Sequence, residues 1–282
     1  MKIQPLERAD IPAALALCAQ VNWNHLAADW QRSLDLHAEG CLGGFIDGRL
    51  CATGQISRFG ELGWIGTFLV DEALRGQGKG KDMFSGMIAQ AQRLGIDWLG
   101  LDSTDAGRPI YTKFGFVEDV GIERWSGPNP GGETAGTVPL GPEHVDEIRT
   151  FDRAAVSVDR SAQLRHLIAE DGAAGRVLVR NGRIAGFGLS RPGRLSGSIG
   201  PLVAEDEVGA RLLLSALCSD RKRLNGSHGI ALDVFDCDTF KAHLTNHGFA
   251  MRRRLIRMFR PVRQRLVFFG PSVWCATGLG MG

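Results

Sequence analysis

Residues 75–80 read Arg-Gly-Gln-Gly-Lys-Gly, with Lys81 directly after, so three alternate glycines lie among basic side chains. A backbone stripped of Cβ atoms can approach a ligand closely. The apolar run at 64–70 before the loop suits a buried strand. After the loop, Met83, Met87, Ala91 and Leu94 form one stripe with Phe84 and Ile88 beside it, and Gly95 closes the pattern. A helix starting at the loop aims its free N–H groups and the positive end of its dipole at whatever sits there. With Arg75, Lys79 and Lys81 added, that chemistry is phosphate or pyrophosphate binding. A Walker loop would need Ser or Thr after Gly-Lys, but Gly80 follows Lys79 and Asp82 follows Lys81. A dinucleotide fingerprint would need a further glycine at 81 and an acidic ribose partner beyond it, and neither is present.

The elements around the loop narrow the choice. A second apolar run, 96–102, predicts the neighbouring strand, and Tyr111-Thr-Lys-Phe-Gly115-Phe116 follows it. Tyr111 is the sole tyrosine of the 282 residues. The order strand, glycine loop, helix, strand, helix with tyrosine, Gly-Phe, strand resembles the GNAT (GCN5-related) N-acetyltransferase superfamily over residues 40–125. That resemblance implies an α/β (mixed α+β) fold and acetyl-CoA as acyl donor. It implies direct transfer of the acetyl group to the neutral primary amine of a small molecule or amino acid in a ternary complex. A peptide or protein amine is the rival acceptor. Arg75, Gly76, Gln77, Gly78, Lys79, Gly80 and Lys81 would take the pyrophosphate. Backbone groups of Phe68, Leu69 and Val70 would pair with the pantetheine arm as an added strand. Ser103 and Thr104 would hydrogen-bond that arm. Tyr111 is the expected acid for the departing thiolate, against a packing role for its ring. Its ordinary pKa of ~10 against ~8.5 for a thiol requires the site to tune the pair, or hydrogen bonding to suffice. The general base stays open among Asp102, Glu61, Asp29, His25 and water.

Length and composition fit a soluble enzyme of two domains. A net charge of +2 argues against bulk nucleic-acid binding. No apolar run spans a membrane and the first residues lack a signal core, so the expected place is the cytoplasm. Six scattered cysteines without a CxxC pair suggest reduced, buried thiols, and no metal site is expected. No residues support a nucleophilic triad.

Taken in order, residues 1–8 predict a strand, and Asp10 caps a helix with Pro12 in its first turn. The segment 21–30 follows, then a second helix to about His37. The resemblance makes Trp23, Asn24 and His25 acceptor contacts; packing of Trp23 and Trp30 in the core is the equal alternative. Strands 41–47 and 49–57 turn at Asp47-Gly48. A linker is expected at 126–137.

The second half repeats this order: helices at 141–153 and 159–170, a hairpin around Asn181-Gly182, and a strand at 198–203. A helix with Val208, Leu212, Leu213 and Ala216 comes next, then a strand at 230–235 and Gly248-Phe249. Gly95 and Gly115 are 20 positions apart, Gly229 and Gly248 are 19. The expected architecture is a tandem of two GNAT-type domains, each a central mixed sheet flanked by helices, at 1–127 and 138–282. The second copy carries Glu205, Asp206 and Glu207 in place of the basic loop and Leu244 in place of the tyrosine, so it is expected not to catalyse. The Arg-rich stretch 252–257 is expected on the exposed side of a strand, and the tail 267–279 as a last strand that completes a sheet or reaches the first domain. The alternative function is a non-catalytic acyl-CoA-binding or regulatory module. A nucleotide-phosphate binder is disfavoured by the loop spacing. The expected partner is a small-molecule amine, with the protein a monomer or homodimer.

Overall fold

The computed structural model describes residues 1–225, 229–261 and 270–281. The strands are β1 (Lys2–Pro5), β2 (Cys41–Ile46), β3 (Arg49–Phe59), β4 (Leu62–Val70), β5 (Trp98–Ser103), β6 (Val117–Gly127), β7 (Thr137–Pro139), β8 (Ala174–Arg180), β9 (Arg183–Arg191), β10 (Gly197–Ala204), β11 (Ile230–Phe235), β12 (Ala250–Arg260) and β13 (Val273–Cys275). The helices are α1 (Ile11–Gln20), α2 (Ala27–His37), α3 (Lys79–Arg93), α4 (Arg108–Lys113), α5 (Val145–Val156), α6 (Ser161–Ile168), α7 (Glu207–Asn225) and α8 (Asp238–Asn246). The mixed α/β class follows the expectation.

The chain folds as two compact units. Unit 1 is Met1–Asp119 with Arg257–Arg263 and Leu279–Gly282; unit 2 is Val120–Ile256 with Gln264–Gly278. The expected contiguous split at 127 and 138 follows the sequence repeats and not these units. Most of β6 belongs to unit 2, and the last residues of β12 belong to unit 1. A buried charge pair lies where β12 enters unit 1. Arg257 donates two hydrogen bonds to Asp102, at 2.8 and 2.9 Å, with both side chains fully buried. Its guanidinium lies 4.3 Å from the centre of the Trp64 ring. Arg257 is therefore not on the exposed side of its strand, as its place in a basic run suggested.

In unit 1 the strand order is β1-β2-β3-β4-β5, with the end of β12 beside β5. The β2–β3 turn at Asp47-Gly48 has φ of +49° and +79°, the left-handed pair a two-residue hairpin requires. Met83, Phe84, Met87 and Ala91 of α3 are fully buried, as the stripe predicts. Asp10 precedes α1, but its carboxylate turns back to accept from the Glu7 N–H at 2.9 Å, so it serves the preceding turn. In unit 2 the order is β12-β6-β11-β13-β10-β9-β8-β7. The expected linker is shorter than 126–137, since Ser126 and Gly127 end β6 and Thr137 begins β7. Val208 is exposed, whereas Leu213 and Ala216 carry the buried face of α7. The described part of the tail completes the unit 2 sheet as β13, and Leu279 onwards belongs to unit 1; residues 267–269 lie outside the described residues.

All six cysteines are free, five of them buried, and burial pushes the Cys41 and Cys218 thiols up to about 12. They behave as small apolar core groups. No described helix is long and apolar enough to cross a membrane.

Arg257→Met strands the Asp102 carboxylate in the core and should cost about 3–5 kcal/mol in urea unfolding. Adding Asp102→Leu should recover most of that loss.

Candidate active site

The sequence order brings the loop and the tyrosine to the same end of unit 1. β4 and β5 are parallel, but their pairing runs only from Leu62↔Trp98 to Ile65↔Leu101. Beyond Ile65 the strands part, and β4 continues to Val70 with no β5 partner on that edge. On its other edge β4 pairs with β3 through a bulge: Gln55 faces Gly66 and Thr53 faces Leu69, so Thr67 and Phe68 together oppose Gly54. Thr67 sits at φ +49°. Phe68, Leu69 and Val70 thus lie on an edge that a ligand's amide groups can extend.

Asp71 ends β4 and builds the turn into the loop. Its carboxylate accepts from the Ala73 N–H at 3.1 Å and from Arg49 at 2.6 Å. The Arg49 hydrogen bond holds its pKa below the usual carboxylate range. Gly76 and Gly78 have φ of +75° and +77°, which other residues adopt at a cost. Among the described residues, no atom stands within 4 Å of where their Cβ atoms would be. Gly78 is the N-cap of α3, and no side chain caps that helix. The first N–H groups of α3 are left for a ligand. Arg75, Gln77 and Lys81 are exposed and Lys79 is half-buried. Arg75 is tied to the strand end through Nε, which donates to the Val70 carbonyl at 3.3 Å. These features fit a pyrophosphate: a positive rim, bare backbone and an uncapped helix start.

Tyr111, on α4, is 9% exposed and seated among aromatic rings. Its ring centre lies 5.0 Å from Phe84, 6.2 Å from Phe68 and 6.3 Å from Phe116. The Phe68 contact joins the tyrosine to the open edge of β4. Burial raises the phenol above its ordinary pKa, which makes full proton transfer to a thiolate less favourable and leaves hydrogen-bond donation as its role. Thr104 starts the turn into α4: its hydroxyl accepts from the Gly107 N–H at 3.3 Å. Ser103 Oγ donates to the Thr104 carbonyl at 2.8 Å.

Of the possible bases, Asp102 has both oxygens bound by Arg257. Glu61 stands in the turn before Leu62, the far end of β4, roughly 20 Å along the strand from Phe68. Asp29 accepts from the Leu26 N–H at 2.8 Å and from Arg32 at 2.5 Å, which fixes it at the start of α2. Trp23 is partly buried against the core cluster that contains Leu17, Trp30 and Leu69, and its ring lies 5.4 Å from His25. Asn24 is half-buried in the same connection.

Sequence reasoning missed a buried polar cluster under the bulge. Ser33 Oγ donates to Gln55 Oε1 at 2.8 Å and Thr67 Oγ1 donates to the same atom at 3.3 Å. Gln55 Nε2 donates to Ser57 Oγ at 2.8 Å, and Thr53 Oγ1 to the Thr67 carbonyl at 2.9 Å. The available signal was Thr53, Gln55 and Ser57 at every second position, which puts three polar groups on one face of an otherwise apolar strand.

Unit 2 has the same frame with each feature closed. β10 and β11 pair in parallel from Gly197↔Ile230 to Ile199↔Leu232, and β13 then enters between them, Leu202↔Cys275 on one side and Val234↔Cys275 on the other. Asp206 Oδ1 accepts from the Gly209 N–H at 2.7 Å, taking an amide at the start of α7. Its carboxylate pairs with Arg180 at 2.5 Å, and Glu207 pairs with Arg211. Leu244 is fully buried in the apolar core. Among the described residues no group of His, Cys, Asp and Glu could hold a metal.

Two family models match the chain: the Acetyltransferase (GNAT) family over residues 10–116 and an Acetyltransferase (GNAT) domain over residues 148–266. The chain belongs to the GNAT acetyltransferases, as a tandem member. Its relatives include an uncharacterized N-acetyltransferase, YitH of Bacillus subtilis, 24% identical over 225 residues, which are 77% of this chain and 78% of that protein. A putative acetyltransferase from Pyrococcus horikoshii has the same fold, with TM-score 0.83 at 21% identity over 100% of this chain and 95% of its own. A tandem GNAT protein from the clavulanic acid biosynthesis pathway aligns with TM-score 0.66 at 13% identity, covering 94% and 99%.

With one tyrosine in the chain, phenolate absorbance near 295 nm reports Tyr111 alone. In the folded protein its rise should come above the ordinary tyrosine value of about 10. The unfolded chain gives up that proton first, so stability should fall as pH climbs past that value.

Proposed function

We propose that unit 1 is an acetyl-CoA-dependent N-acetyltransferase acting on the primary amine of a small molecule or amino acid, and that unit 2 does not catalyse. The observation that carries this is the contrast at equivalent places. Among the described residues, β4 of unit 1 has no β5 partner beyond Ile65 and no side chain caps the start of α3, where Arg75, Lys79 and Lys81 stand with Asp82. The strand gap and helix start of unit 2 are filled by β13 and capped by Asp206.

Acetyl-CoA would supply the acetyl group as a thioester; the amine nitrogen bonds to the acetyl carbon, the C–S bond breaks, and coenzyme A leaves as a thiol. Arg75, Lys79, Lys81 and the first N–H groups of α3 hold the pyrophosphate. Backbone groups of Phe68, Leu69 and Val70 pair with the amides of the pantetheine arm. Tyr111 donates a hydrogen bond to the leaving sulfur, the alternative that its raised pKa favours over full proton transfer. The side of the cleft near Trp23 and Asn24 receives the acceptor. Asp102 and Glu61 are not the base, given the ion pair of one and the distance of the other. Proton removal falls to His25 or to water. The Asp29 carboxylate is spoken for by Arg32 and Leu26.

The test is calorimetric titration of acetyl-CoA. The wild type should bind one equivalent, Arg75→Glu should bind none, and Glu205→Arg should match the wild type. Two equivalents would overturn the assignment of unit 2, and no binding would overturn the donor. Tyr111→Phe should keep acetyl-CoA affinity and lower kcat by about 10²–10⁴ in thiol release with an amine panel. Binding without turnover on any amine would make the protein an acyl-CoA-binding module.

A further inference from the structure

The last described residues of the chain lie in unit 1, across the bulge of β4. The Leu279 carbonyl accepts from Trp64 Nε1 at 3.4 Å. Gly280 packs backbone against backbone on Gly66. A Cβ on Gly66 would stand 2.2 Å from the Gly280 carbonyl oxygen and 2.6 Å from its Cα, far inside contact distance. A Cβ on Gly280 would stand 3.3 Å from Thr67 Oγ1. Met281 Sδ takes a contact from the Arg32 guanidinium at 3.2 Å. Residues 279–281 are themselves only half-buried, so they form a surface over Trp64, Gly66 and Thr67.

The position along β4 gives this contact a role, which rests on the function proposed above. The pyrophosphate loop follows Val70. Tracing β4 backward from there, Phe68 meets Tyr111, and Thr67 and Gly66 come next. If Phe68–Val70 hold the arm and Tyr111 meets the sulfur, the acetyl group lies beside Thr67 and Gly66, where Gly280 stands. We propose that residues 279–281 are the wall of the acceptor site: they set the size of amine admitted and keep bulk water from the thioester. The two glycines in contact leave no room for a side chain on that face, so the wild type admits small, unbranched amines. The neutral hydroxyl and amide groups of Ser33, Gln55 and Thr67 hold the bulge to which the wall is fitted.

Water is the probe that needs no knowledge of the acceptor. In hydrolysis its oxygen bonds to the acetyl carbon, the C–S bond breaks, and acetate, a proton and coenzyme A thiol are released. Two variants test the wall: a chain stopped after Gly278, and Gly66→Ala, whose methyl group must push Gly280 away. Both should bind acetyl-CoA as the wild type does, and should release thiol without added amine about tenfold faster or more. Both should also raise the rate with benzylamine relative to methylamine. If the truncated chain does not fold, Gly66→Ala alone decides. Lower melting temperatures with unchanged hydrolysis and unchanged amine preference would assign residues 279–281 a purely structural role and overturn the proposal. A wild type that binds no acetyl-CoA would instead fail at the donor, and the wall would fall with it.

Discussion

A strand edge inside a protein carries N–H and C=O groups that must find partners, and this requirement organises both halves of the molecule. Parallel strands that begin together and then part, as β4 and β5 do after Ile65, leave such an edge. β10 and β11 part in the same way after Ile199. In unit 2 the edge is satisfied from within, by β13. In unit 1 the edge from Phe68 to Val70 has no β5 partner, and the proposed acyl donor would supply one. The proposed donor site of unit 1 and its counterpart in unit 2 thus differ in whether the unit's own chain supplies the missing strand.

The helix starts follow the same logic. A helix exposes its first amides, and something must meet them. Asp206 meets one at α7 with its own carboxylate, and Arg180 neutralises that charge. At α3 Gly78 has no side chain to offer, and Arg75, Lys79 and Lys81 outnumber the one carboxylate of the first turn, Asp82, which lies 3.9 Å from Lys79. The acidic run in the second copy is therefore more than a repulsive patch: it is the cap that makes an outside anion unnecessary.

The aromatic cluster and the charge pair set the rigidity of the unit 1 site. Phe84 is fully buried and touches Phe68, Tyr111, Phe114 and Phe116 within 6 Å. Each such pair contributes about 0.5–1.5 kcal/mol beyond its burial. This fixes the tyrosine against the strand edge with no direct hydrogen bond needed to aim it. Arg257 holds Asp102 at the end of β5 and packs over Trp64, whose indole N–H then reaches Leu279.

Local chemistry was legible in the sequence. The glycine spacing at 76, 78 and 80, the amphipathic helix after it, both hairpin turns and the repeat of the order in the second half all follow from residue type and period. Each depends on neighbours within a few positions: a left-handed turn needs Asp47-Gly48 or Asn181-Gly182, and a helix face needs its apolar groups at 3.6 spacing. What only the tertiary structure decided joins residues far apart in the chain. Asp102 looked like a base until Arg257, 155 positions on, took both its oxygens. Arg257 looked exposed because its neighbours are Arg252, Arg253 and Arg254, and nothing local marks the fourth arginine as the buried one. The tail signalled strand propensity alone; that β13 would fill the gap of unit 2, and Gly280 lie against Gly66, is a matter of which edges stood open. Sequence period specifies elements, while the choice of partner is made by the unsatisfied edges and charges that those elements leave when they pack.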